Sequence, residues 1–110
     1  MSDRDRLILL KIAGYINETL SYTKGLDFAA FSQDRKTINA TAFVLGQIGE
    51  LAKQISEEFQ NATAHIYWRG IRGLRNRIVH DYENLDMNRL WEVIRDDLPI
   101  LETQIQNLLK

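Results

Sequence analysis

The stretch Arg69–Tyr82, "RGIRGLRNRIVHDY", places four arginines within nine residues, with no acid among them, and then reaches one of the chain's two histidines. Outside those four arginines, ten basic residues stand against fifteen acidic ones, and the formal net charge is -1. The cation excess is therefore local. That distribution fits a site rather than a general coat for nucleic acid.

On a helix running from about Tyr67 to His80, Tyr67, Ile71, Leu74 and Ile78 share one side and are expected to face a core. Arg69, Arg72, Gly73, Asn76 and His80 share the other. Asn76 and His80 are four apart, one turn above the other. Arg75 and His80 are five apart, which an ideal helix separates by about 140°. One copy cannot turn both toward one phosphate unless the helix end distorts. A second copy of the chain solves the spacing. Gly70 and Gly73 lie on or beside the polar face, where a partner backbone or an RNA strand could approach closely.

Working outward, the pattern predicts three more helices. The first spans about Asp3 to Tyr22, with Ile8, Ile12, Tyr15 and Ile16 on one face. Gly25 fits its stop. Phe28 and Phe31 are expected to tuck a connecting loop onto the core, and Ser32 or Asp34 to cap the next helix. That second helix is the longest and spans about Gln33 to Gln60, with Ile38, Ala42, Leu45, Gly49, Ala52 and Phe59 as its stripe, flanked by Ile48 and Ile55. Phe43, Gln47, Glu50 and Gln54 fall on a different face. Gly46 and Gly49 each cost about 1 kcal/mol relative to alanine within a helix, so close approach of another helix is expected there. The last helix starts at a cap, Asp86, and runs to the C-terminus, with Pro99 expected to kink or break it. The fold expected is all-α, an antiparallel four-helix bundle forming one domain over residues 1–110.

Composition limits the chemistry. There is no cysteine, which removes disulfides, thiolate metal sites and a Cys nucleophile. The first apolar run, "LILL", is too short for a signal peptide or a membrane span, so a cytoplasmic location is expected. No phosphate-cradling glycine loop is present. His65 has no cluster around it and is expected to be a plain loop residue. Trp68 is expected to pack. Asp96 and Asp97 are helical neighbours that point apart, a poor paired-carboxylate site.

The Arg-rich stretch suits RNA cleavage without a metal. There the substrate's 2′-OH is the nucleophile, and the protein supplies a base, an acid and cations on the phosphate. Histidine titrates near neutrality and serves as either acid or base. Arginine presents a planar, permanently charged fork. The same residues also have a structural reading. A histidine in a last helical turn meets open carbonyls, and arginines on an outer face are commonly only solvated. The residues alone leave both readings open. Besides an enzyme, they allow a non-catalytic nucleotide- or partner-binding module, and a purely structural dimer.

"RNRIVHDY", Arg75–Tyr82, resembles the R-x4-H-x-Y signature of HepT-like toxins, members of the HEPN superfamily of helical ribonucleases. Asn76 occupies the polar position after the arginine. "IYWRGIRGLRN", "LGQIGELAKQIS" and "LWEVIRDDLPIL" resemble further family segments in the same order, so the likeness covers most of the chain. It implies a homodimeric bundle of four or five helices whose paired motifs line a cleft and cut RNA with no cofactor or metal. It assigns Arg75 and His80 as the catalytic pair, with Asn76 and Tyr82 in support. It further implies a toxin paired with an MNT-type nucleotidyltransferase antitoxin, which transfers AMP to Tyr82. Arg69 and Arg72 are expected to steer the RNA backbone. Asp81 stands where the family is variable; an acid there raises the proton affinity of His80 and weakens the local positive field.

Overall fold

The structure, a computed structural model, describes the backbone of residues 1–81 and 86–110 and the side chains of residues 1–77 and 86–110. All regular structure among the described residues is helical. The long α1 (Asp3–Thr23) opens on Ser2, whose hydroxyl accepts from the N–H of Asp5 at 3.0 Å. Gly25, at φ +80°, turns the chain after it, a conformation that costs a residue without a Cβ little. The expected connecting loop contains a short helix, α2 (Phe28–Gln33), capped by Asp27. Phe31 is fully buried there and meets Trp91 with ring centroids 4.9 Å apart, so the expectation that it pins this segment to the core holds. Asp34, and not Ser32, caps α3 (Arg35–Gln54) by accepting from the N–H of Thr37 at 3.1 Å.

The second expected helix is not continuous to Gln60. It ends at Gln54, and α4 (Glu57–Ala62) starts afresh with Ser56 as its cap. The cause lies in α1. Asp5, 3% exposed, accepts from the N–H of Ser56 at 2.9 Å and from its hydroxyl at 2.6 Å. A serine whose N–H is drawn to a carboxylate 51 residues away cannot continue the helical ladder. Burial pushes the Asp5 carboxyl up. The Ser56 hydroxyl and N–H, with Ser2 and Arg4, outweigh burial and hold it below the ordinary carboxylate value.

The expected third helix is two pieces, α5 (Trp68–Arg72) and α6 (Leu74–Asp81), joined at Gly73. The expected fourth is α7 (Met87–Glu92), a π-helical turn at Val93–Asp97, and α8 (Leu98–Leu109). Asp86 caps α7 as expected. Pro99 lies just past the wide turn. That turn accommodates the ring and the missing N–H without breaking the rod, so the expected distortion is a π-bulge.

One apolar cluster links these elements: Ile8, Leu9, Ile12 and Ile16 of α1, Leu45 and Ile48 of α3, and Ile94, Leu98 and Ile105 near the C-terminus. α1 packs on α3, whose other flank receives α5 and α6, and α8 lies against α1. The helices bearing the Arg-rich stretch are thus held against α3 rather than α1. Among the described residues no helix is long and apolar enough to cross a membrane.

Candidate active site

Gly49 is where α3 meets the kink at Gly73. A Cβ on Gly49 would stand 2.9 Å from the backbone N of Arg75 and 3.0 Å from the backbone O of Ile71. Those two groups flank the kink, at the end of α5 and the start of α6. The expected close approach of a second helix therefore occurs at Gly49. Gly46 is looser, with the Cγ of Arg75 4.0 Å from the position of an added Cβ. The contact fixes where Arg75 leaves the main chain.

The Arg75 side chain then runs along α3 to Glu50. Its Nε lies 2.9 Å from Oε1 of Glu50, which Lys53 also approaches at 3.5 Å. Both members of the Glu50–Arg75 pair are partly exposed, so its electrostatic contribution to stability is small, about 0–1 kcal/mol. Its geometric effect is larger. Glu50 engages the Nε–H, and that contact does not consume the terminal Nη pair, which has the fork geometry that recognises phosphate. Sequence reasoning grouped Glu50 with Phe43, Gln47 and Gln54 as a solvated or interface face. It missed the pairing because nothing in helical spacing links Glu50 to Arg75. Phe43, on that same face of α3, is 65% exposed, as its place outside the core stripe implied.

The remaining arginines differ from one another. Arg69, Asn76 and Arg77 are exposed. Arg72 is half-buried, and its Nη1 donates to Oε1 of Gln60 at 2.7 Å, while Nε2 of Gln60 donates to the carbonyl of Ile55 at 2.9 Å. Arg72 thus ties α5 to the break before α4. The side chains of Ile78, His80 and Asp81, and all of Tyr82, lie outside the described residues, although the backbone at His80 belongs to α6.

One expectation on this helix is corrected. Tyr67 does not face the core; it is 74% exposed, while Ile71 and Leu74 do pack against the core as expected. Helical geometry begins only at Trp68, so a wheel drawn through Tyr67 misplaces it. Trp68 takes the inward position, 4% exposed, and its Nε1–H donates to Oγ1 of Thr63 at 2.9 Å. A Cβ on Gly70 would lie 2.5 Å from the Tyr67 ring. His65 is an exposed turn residue.

Known proteins resemble this chain over nearly its whole length. A Methanocaldococcus jannaschii protein provisionally named an RNase is 28% identical, covering 96% of this chain and 98% of its own. A Thermococcus cleftensis protein named "probable ribonuclease HepT" is 31% identical, covering 90% of each. A Caldanaerobacter subterraneus protein, also provisionally named an RNase, is 31% identical over 79% of this chain and 78% of its own. No solved structure matches the chain. The family model described as ribonuclease HepT-like matches residues 12–108, a span that takes in the Gly49 contact, the Glu50–Arg75 pair and α6, and the chain belongs to that family.

Proposed function

We propose that this ribonuclease is the toxin of a toxin–antitoxin pair and cuts RNA internally without a metal, through Arg75 and His80 of two copies of the chain. In this reading one imidazole takes the proton of the substrate 2′-OH. The 2′-oxygen then bonds to phosphorus, and the bond from phosphorus to the 5′-oxygen breaks. The second imidazole protonates that leaving oxygen, giving a 2′,3′-cyclic phosphate and a 5′-hydroxyl. The Arg75 guanidinium neutralises charge developing on the phosphate oxygens, with Asn76 and Tyr82 in support.

The observation that carries this reading is the hold on Arg75. Its backbone is seated against Gly49 and its Nε is held by Glu50, on a partly exposed surface, five residues before His80. A dimer is supported by the exposed Phe43 on the same face of α3, an apolar side chain beside a charged site. In the dimer, α1, α3, α5–α6 and α7–α8 are the four arms of an antiparallel bundle, one domain per chain. Arg69 lies along the RNA path. A cytoplasmic MNT-type nucleotidyltransferase antitoxin silences the toxin by adding AMP to Tyr82.

The test is a denaturing gel of cellular RNA incubated under chelator with wild-type and His80→Ala protein. Wild type should cut and the variant should not. Equal cutting by both would remove His80 from the chemistry.

A further inference from the structure

A hollow of about 420 Å³ lies on the side of α5 and α6 away from α3, between these helices and the α7–α8 rod. Its floor includes Ile71 and Leu74, and Arg77, Arg89 and Asp97 stand among its walls. Tyr67 forms part of its edge. The size falls in the range of small-molecule sites, roughly 300–1,000 Å³.

Tyr67 is an unusual surface aromatic. It is the cap residue of α5, so it stands at the start of the helix rather than in its packed stripe. Its ring rests over Gly70, close enough that a side chain there would collide with it, and it remains 74% exposed. A ring backed by main chain and open to solvent is pre-positioned for stacking. Two arginines nearby add cationic planes; Arg89 also contacts Glu92 at 3.4 Å and Asp97 at 4.0 Å. An aromatic platform beside cations is the combination that takes bases of single-stranded nucleic acid. Arg77 brings the hollow to the Arg-rich helix, on a different face of α6 from Arg75, which lies against α3.

We infer that Tyr67 and the hollow beside it bind an unpaired nucleotide of the RNA substrate, its base stacked on the tyrosine ring and its phosphate facing Arg77. This rests on the ribonuclease reading above. Tyr67 is then a positioning residue that selects single-stranded substrate.

The experiment measures Kd, by fluorescence anisotropy, of a labelled single-stranded 2′-O-methyl oligoribonucleotide, which lacks the nucleophile. Binding is thereby separated from cleavage. Tyr67→Ala should weaken binding at least about fivefold, as loss of one stacked base implies. Tyr67→Phe should stay within about twofold of wild type, since the ring is kept. Gly70→Ala keeps the tyrosine but drives its ring aside. The displaced atoms are the end of an exposed side chain, so the fold tolerates the change, and binding should fall as in Tyr67→Ala. Equal Kd across the series in a protein that still cuts RNA overturns the nucleotide pocket and leaves the ribonuclease reading standing. Wild type that neither binds nor cuts RNA removes both.

Discussion

Glu50 holds Arg75 through Nε at 2.9 Å, so an acid on one helix sets the direction of the guanidinium on another. Glu50→Gln retains an acceptor but loses the charge. We expect RNA cleavage to fall about tenfold through poorer orientation, with stability changed by less than about 1 kcal/mol because the pair is partly exposed. Arg75→Lys should abolish the fork and most activity. Steady-state cleavage rates beside thermal melts check this; a Glu50→Gln enzyme of full activity would show that the contact orients nothing.

Two glycines in one helix should respond with opposite signs. Gly46→Ala meets only the Arg75 Cγ at 4.0 Å, so helix propensity dominates and stability should rise by about 1 kcal/mol. Gly49→Ala would place its Cβ 2.9 Å from the Arg75 backbone N. Backbone cannot step aside cheaply, so overpacking should cost about 1–3 kcal/mol and outweigh the propensity gain. Urea unfolding of both variants is the measurement. Stabilisation by Gly49→Ala would mean that the two helices do not approach this closely.

The buried Asp5 makes stability pH-dependent. Its carboxyl is held below the ordinary value of 3.8 in the folded state. The unfolded chain therefore binds the proton first. The stabilisation is fully present above about pH 5 and is lost as the pH falls through the ordinary value toward the folded one. Asp5→Asn should lower stability near neutrality by about 1–3 kcal/mol, because the Ser56 hydroxyl and N–H lose a charged acceptor. It should also flatten the acid limb. Denaturant melts from pH 3 to pH 7 would reveal either outcome; parallel curves for wild type and variant would contradict the assignment.

Arg69 and Arg72 should separate. Arg69→Ala should reduce the slope of log K against log salt for RNA by about one, as loss of a single phosphate contact implies. Arg72→Ala breaks the bond to Gln60 and should cost about 1 kcal/mol of stability, with a smaller change in slope. Salt titrations of RNA binding together with thermal melts distinguish them. A larger slope change from Arg72→Ala than from Arg69→Ala would reverse the roles.

Much of this protein is written in local pattern. The 3.6-residue spacing of Ile8, Ile12 and Ile16, and of Ile38, Leu45 and Ile48, makes the helices and selects their buried sides. Asp34 and Asp86 cap helices because a carboxylate can reach N–H groups two or three residues ahead. Glycine at position 49 already announced a close helix contact, and the order of Arg75, Asn76, His80 and Tyr82 along the chain carries the resemblance to HepT-like ribonucleases. What periodicity does not encode is contact between distant segments. The break at Ser56 depends on Asp5, 51 residues earlier. Arg75 is aimed by Glu50 on another helix, and Tyr67 is turned outward because Trp68 occupies the inward place. Each of these rests on which helix packs against which, and that is decided by the joint burial of several apolar faces rather than by any one of them.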